Sequence, residues 1–258
     1  MKLIQSRDNA FFKSLKRLAE SGRERRKTGL TLLDGLHLVK AYEAAGGQLE
    51  TLVVTESAIN VGEIAAHLEG REIVVLADVL MRELGLVDTP SGLLAVAKMP
   101  TRSQPPDLEK DAVLLDGVQD PGNVGTLLRT AAAAGIKQVL LSPGCAAAGS
   151  PKVLRAGQGA HFVLNIHEDV DLAGFVDGYH GTTAVTCLDG ASSLYEADWQ
   201  GPLAWIFGAE GLGVRPELIN AARLRIKIPM PGAVESLNVA AAAAICLFEM
   251  VRRRLDFN

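Results

Sequence analysis

Short apolar runs alternate with longer amphipathic stretches along this chain, and the two rhythms predict strands and helices in turn. Toward the N-terminus, Leu30–Leu33, Thr51–Thr55, Glu72–Leu76 and Gly92–Ala97 read as strands, and residues 9–20, 36–45, 57–68 and 78–85 as helices. Such alternation predicts a compact α/β domain. The pattern breaks at 99–110, where Pro100, Pro105 and Pro106 stand among polar residues and disfavour a continuous helix or a central strand. We therefore expect a small domain over 1–98, a linker over 99–110 and a second domain over 111–258.

The rhythm resumes in the second domain, with Ala112–Leu115, Gln138–Ser142, Thr183–Cys187, Leu203–Phe207 and Leu224–Ile228 as strands. Runs such as Leu203–Phe207 are apolar throughout, as suits strands buried on both faces of a parallel sheet. A helix is expected from about Val124 to a C-terminal glycine at Gly135, and a long final helix from about Leu237 to Leu255.

Composition adds limits. Across 258 residues, 48% are apolar and 22% charged, the balance of a globular protein with a substantial core. A net charge of -4 argues against a uniformly basic coat, but not against a local basic patch. Cys145, Cys187 and Cys246 are widely spaced, so buried thiols in a reducing compartment are expected. No histidine has zinc-binding spacing, and no metal is expected. The N-terminus lacks a signal-peptide core, and the Ala-rich run Val239–Phe248 is too short to span a bilayer. We expect a cytoplasmic protein without a membrane partner.

The candidate chemistry lies in three glycine-bearing segments, each placed where a strand-like run ends, the edge on which open α/β sheets build sites. The first, Leu115–Gly125, contains Asp120-Pro-Gly-Asn123 and leads to Arg129. A turn and a helix cap explain its glycines and Asn123, but not Arg129 on an otherwise small, apolar helix. A guanidinium near a helix N-terminus suits a phosphate or ribose. The second, Phe207–Gly213, offers Gly208, Glu210 and Gly211, with backbone close to a flat ligand as the functional reading and a helix start as the bland one. Its glycine order is not that of dinucleotide folds, and Gly157-Gln-Gly159 fails that pattern at Phe162. The third, Ile228–Asn238, is stiffened by Pro229 and Pro231 around Met230, and Ser236 or Asn238 can cap the last helix. It is either a well-made connection or a pocket wall.

A separate feature is the basic stretch of Arg7, Lys13, Lys16, Arg17, Arg23, Arg25, Arg26 and Lys27 against Asp8, Glu20 and Glu24. We read it as a phosphate-binding footprint for RNA, with a solvated helix face as the alternative.

In order and company, these segments resemble the SpoU (TrmH-type) family of RNA ribose 2′-O-methyltransferases, within the SPOUT class. Asn123, Gly125 and Arg129 match its first motif, Gly208–Gly213 its second and Ile228–Val239 its third. Ser150–Ala160 also resembles the family, and the opening, with Gly35 at a strand end, resembles its RNA-binding domain. Asp34 stands where relatives often carry glutamate, and Gly157 where serine is common.

The resemblance implies an α/β C-terminal SPOUT domain with a parallel sheet and a deep trefoil knot, a topology that sequence physics would not predict. It also implies a small N-terminal α/β domain of ribosomal-protein type that selects the RNA. S-adenosyl-L-methionine is expected as cofactor, held around Gly208, Gly211, Ile228, Met230 and Leu237. A homodimer is expected too, with Arg129 of one subunit reaching the partner's site. The expected activity is methylation of a ribose 2′-hydroxyl in ribosomal RNA. The alternatives are a transfer-RNA enzyme or a non-catalytic ribosome-assembly factor of the same fold. An arginine guanidinium ordinarily holds its proton far above neutral pH, which makes it a poor proton acceptor. Arg129 is therefore expected to orient the hydroxyl and phosphate, with Asn123, Glu210, Ser236 and Asn238 completing the site.

Overall fold

Apolar runs with no polar alternation need cover on both sides, and both sheets of this protein receive it. The structure, a computed structural model, describes residues 2–86, 89–99, 104–187, 191–234 and 236–255, with the Lys2 side chain left out. Residues 100–103 of the expected linker and Glu235 of the third segment lie outside that range. The chain forms two compact units, one of Met1–Thr101 with Gly149–Phe162 and the other of Arg102–Ala148 with Val163–Asn258.

The first unit contains β1 (Lys2–Ile4), α1 (Ala10–Glu20), α2 (Gly22–Thr28), β2 (Leu30–Asp34), α3 (Leu36–Ala44), β3 (Leu49–Thr55), α4 (Gly62–Leu68), β4 (Ile73–Leu76), α5 (Asp78–Glu83) and β5 (Leu93–Lys98). Its sheet has the order β1-β4-β3-β5-β2, with β5 antiparallel to both its neighbours. Successive residues of one strand feed opposite cores. Val53 packs with Phe12 and Leu80 on one face, and Leu52 and Val54 with Leu38 and Val39 on the other.

The second unit opens with β6 (Ala112–Asp116), α6 (Pro121–Ala133) and β7 (Gln138–Leu141). The chain then makes α7 (Pro151–Gly157), which belongs to the first unit. It resumes with β8 (Asn165–His167), α8 (Leu172–Gly178), β9 (Thr182–Thr186), β10 (Ser192–Ser193), β11 (Leu203–Gly208), α9 (Pro216–Ala221), β12 (Leu224–Lys227) and α10 (Val239–Arg254). The sheet order is β10-β12-β9-β11-β6-β7-β8, and every pairing is parallel. Leu172, Phe175 and Leu218 cover one face, while α10 packs on α6 and β11.

Several elements differ from expectation for local reasons. The helix expected over 57–68 starts at Gly62, because Ser57 donates to Asp78 from both its N–H and its hydroxyl. The α6 helix starts at Pro121 rather than Val124, since the Asp120 carboxylate caps it. Asn123, weighed as a cap, is already inside. Gly135 does follow that helix, with φ of 81°. The segment 149–162, expected within the second domain, enters the first unit's core through fully buried Leu154. Thr31 donates to the Gly149 carbonyl at 2.9 Å, and Arg155 to the Asp34 carbonyl at 2.7 Å. Gly35 takes φ of 96°, a backbone conformation that L side chains rarely adopt, and a Cβ there would also displace the Arg155 guanidinium. Burial pushes the Asp34 carboxyl up against the opposing pull of Arg155.

The C-terminal arginines fasten the last helix to its own unit. Arg253 donates to the Leu194 carbonyl at 2.7 Å and to the Ala197 carbonyl, pairs with Glu249 at 2.8 Å and lies 4.2 Å over the Trp199 ring. The Arg252 hydrogen bond, opposed by burial and supported by Arg253, pulls the buried Glu249 carboxyl from 4.5 down to about 2. A depressed carboxylate stabilises above its ordinary value, so this contribution is lost as pH falls from about 4.5 through about 2. Arg253→Ala should cost about 2 kcal/mol in urea unfolding, because the Leu194 and Ala197 carbonyls lose their donor while Glu249 keeps only Arg252. A loss within about 0.5 kcal/mol, the range of an ordinary surface change, would show that the anchor is redundant.

Candidate active site

Strands β6 and β11 are neighbours and end together, with Gly208 paired to Asp116. Asp116 is buried and spent on structure: it accepts from the Arg215 backbone N–H at 2.9 Å and from Nε at 2.8 Å. Gly117 turns away at φ 69° and donates to the Ser142 hydroxyl at 2.9 Å. Asp120 then accepts from the Asn123 N–H at 2.8 Å and starts α6, with Pro121 pre-set for the first turn.

Past β11 the chain folds back at once. Ala209 and Gly213 exchange both backbone hydrogen bonds, at 3.1 and 2.9 Å, while Gly211 and Gly213 take φ of 83° and 70°. A Cβ on Gly208 would run into the backbone of Gly213 and Val214, so the hairpin closes only over glycine. Its tip points Glu210 at the start of α6. That carboxylate accepts from Gln119 N–H at 3.1 Å, Asp120 N–H at 3.4 Å and Asn123 Nδ2 at 2.7 Å. Partial burial pushes its pKa up, but the bonds from Asn123 and the backbone N–H groups outweigh that and hold it below the ordinary value.

Asn123 joins the third segment as well. Its Oδ1 accepts from Asn238 Nδ2 at 3.0 Å, while Asn238 Oδ1 caps α10 through Ala240 and Ala241 N–H at 2.9 and 3.3 Å. Four expected site residues therefore fall into two groups. Asn123, Glu210 and Asn238 are bonded in a chain across the three segments, while Ser236 is exposed with no hydrogen bond among the described residues. Between β12 and Asn238, the described residues of Ile228–Leu237 make no backbone–backbone hydrogen bond. Their amides and carbonyls are open, beside half-buried Ile228 and Met230 and exposed Val234 and Leu237.

Arg129 is exposed and makes no ion pair or side-chain hydrogen bond among the described residues. Six residues of helix turn it about 120° away from Asn123. It shares a stripe with Gly122, Thr126 and Ala133, all exposed.

The basic stretch also divides. Arg7 and Lys16 pair with Glu83, and Lys13 with Asp8. Arg25 donates to the Leu18 and Ala19 carbonyls and so terminates α1. Arg17, Arg23, Arg26 and Lys27 are exposed without ion pairs among the described residues. No sequence motif marks Ser142 or Arg215, and Asp116 reads in the sequence as a turn residue. The signal for Asp116 was a carboxylate at the buried end of a strand, which requires a partner.

Known proteins resemble the chain over its whole length. The SpoU rRNA Methylase family model matches residues 111–248, and the MRM3-like substrate binding domain model matches residues 9–95. The 23S rRNA (guanosine(2553)-2'-O)-methyltransferase RlmP of Bacillus subtilis is 35% identical, covering 97% of this chain and 99% of that protein. The 23S rRNA (guanosine-2'-O-)-methyltransferase RlmB of Pseudomonas putida is also 35% identical, over 80% of this chain and 84% of its own. Among solved structures, an RNA 2'-O ribose methyltransferase superposes with a TM-score of 0.85 at 29% identity, covering 98% of this chain and 99% of its own. The SpoU methyltransferase AviRb of Streptomyces viridochromogenes, in complex with AdoMet, has a TM-score of 0.82 at 26% identity, covering 97% and 100%.

Gly208→Ala should lower stability by about 1–3 kcal/mol through overpacking, whereas Gly232→Ala, in open space on the neighbouring loop, should stay within about 0.5 kcal/mol. Thermal unfolding of both variants checks this. Equal melting temperatures would show that the hairpin has room that its geometry denies.

Proposed function

Because the chain belongs to the SpoU rRNA methylase family, we propose that it transfers the methyl group of S-adenosylmethionine to a ribose 2′-hydroxyl of ribosomal RNA. The observation that carries the reading is the chain Glu210–Asn123–Asn238, which draws the three glycine segments around one edge of the second sheet.

The site fits the cofactor. A ligand with a flat adenine and polar ribose and amino-acid parts needs close backbone approach with free amides and carbonyls, and little side-chain bulk. The open amides of Ile228–Leu237 and the hairpin at Gly208 and Gly211 provide both. We assign Gly208, Gly211, Ile228, Met230 and Leu237 to this wall. When bound, the cofactor supplies an electrophilic methyl carbon. The task of the protein is then alignment, which can contribute several kcal/mol.

Asn123, Glu210 and Asn238 hold the walls in register, while Ser236 and Arg129 have free polar groups to meet the ribose and phosphate. Arg129 faces away from its own Asn123, so it serves the site of a second copy in a homodimer. Supporting this, Ala241, Ile245 and Phe248 form a stripe on α10, which packs on α6, and Phe248 is 48% exposed. We further propose the trefoil knot. In support, β12 lies beyond β9 and β11, yet the chain returns from it through Asn238 to the start of α6.

Residues 1–98, joined by 149–162, form the RNA-selecting domain, 99–110 the linker and the remainder of 111–258 the catalytic domain, and the protein works in the cytoplasm. No helix among the described residues is long and apolar enough to cross a membrane. Arg17, Arg23, Arg26 and Lys27 are the cations left to grip phosphate, and Arg7, Lys13, Lys16 and Arg25 contribute less because each already has a partner.

Arg129→Lys should lower kcat by tenfold or more while leaving S-adenosylmethionine binding intact, read as an unchanged thermal shift of about 2.7 kcal/mol at 100 times Kd. Near-normal turnover would remove the planar-fork role. Reversing Arg17, Arg23 and Arg26 to Glu should weaken RNA binding and flatten the slope of log K against log salt by about 2. An unchanged slope would take this face off the RNA.

A further inference from the structure

A groove of about 280 Å³ opens in the first unit between the α1–α2 pair and the sheet. Phe11 and Leu18 of α1, Leu30 of β2 and Val96 of β5 make its apolar side, and Glu24 and Glu50 add carboxylates. Within α2 the division of side chains is sharp. Glu24 and Thr28, one helical turn apart, line the groove, while Arg23, Arg26 and Lys27 are exposed and Arg25 is folded back on α1. The single acid of a basic helix is therefore the one that lines an apolar slot. Glu50 pairs with Lys98 at 3.3 Å, whereas Glu24 makes no ion pair among the described residues.

We propose that this groove takes one splayed-out base of the RNA and reads its donor edge, with Glu24 as the specificity-determining residue. The proposal rests on the reading of the chain as an RNA methyltransferase and adds a base-reading site to its first unit. Sequence-specific proteins read single-stranded RNA by stacking unpaired bases on aromatic rings and bonding their exposed edges. Phe11 supplies the ring. An ionised carboxylate only accepts, so the favoured base is the one that offers two adjacent donors to one carboxylate, which is guanine through N1–H and the 2-amino group. Uracil offers one N–H flanked by carbonyls that the carboxylate repels. The exposed arginines of the same helices would hold the flanking phosphates.

The test uses the full-length protein and labelled single-stranded oligouridylates in three forms, with a central guanosine, a central inosine or uridine throughout. Fluorescence anisotropy at fixed salt should show the guanosine form bound roughly tenfold tighter than all-uridine, with inosine between them because it lacks the 2-amino group. Glu24→Gln should abolish the guanosine preference while leaving all-uridine binding within about twofold. Phe11→Leu, which keeps apolar volume in the partly buried position, should weaken the guanosine form alone. Equal binding of the three oligomers by the native protein, or a preference that survives Glu24→Gln, would overturn the proposal. Methyl transfer to ribosomal RNA by the same preparation keeps the two readings apart. Its loss would sink the enzyme reading, while a flat oligomer series with methyl transfer intact would sink only the base site.

Discussion

One carboxamide holds the edge of the second sheet together. Asn123 donates to Glu210 and accepts from Asn238, so the loop after β6, the hairpin after β11 and the segment after β12 share a single side chain. None of the three would settle there by its own packing. Gly208–Gly213 is too small to bury apolar surface, and the described residues of Ile228–Leu237 make no backbone–backbone hydrogen bonds. The order is imposed from the helix starts, where capping fixes two points in advance. Asp120 sets α6 and Asn238 sets α10, and Asn123 is then forced to face both Glu210 and Asn238.

This arrangement leaves the described residues of Ile228–Leu237 open without leaving them loose. A wall of free amides and carbonyls is costly in a buried place and harmless in a wet one, provided its ends are fixed. Asn238 fixes one end and β12 the other. Proline at 229 and 231 limits the conformations between, so less ordering entropy remains to be lost when a ligand arrives.

Where burial decides the element, the sequence was readable. The strands Leu30–Asp34, Leu203–Gly208 and Ala112–Asp116 were plain because residues facing both cores are nearly all apolar, with buried Thr31, Asp34 and Asp116 as exceptions. The short elements were not: α2 has no buried residue, so no period marks it, and α7 has only seven residues, too few for its buried Pro151, Val153, Leu154 and Gly157 to establish a helical period. At the site, the three segments could be found from their glycines, but each bond between them spans more than eighty residues of chain. Local pattern contains no such distance. The orientation of Arg129 was hidden for a simpler reason: with a helix expected to start at Val124, Asn123 lay outside it, so no helical angle related the two side chains. Only the cap at Asp120 settles its register.

The same structure also revises how RNA would be held. Eight basic residues looked like one footprint, but Arg25 terminates a helix, and Arg7, Lys13 and Lys16 face carboxylates. The remainder, without ion pairs among the described residues, is Arg17, Arg23, Arg26 and Lys27, enough for a salt slope of only about 3 on a single strand. A grip of that size is sequence-blind and weak at physiological salt. Discrimination among the many sites of a large RNA must then come from contacts that read bases or shape. The groove that Glu24 lines is the place in the first unit where the chemistry for reading a base and the charges for holding its backbone lie on the same short helix.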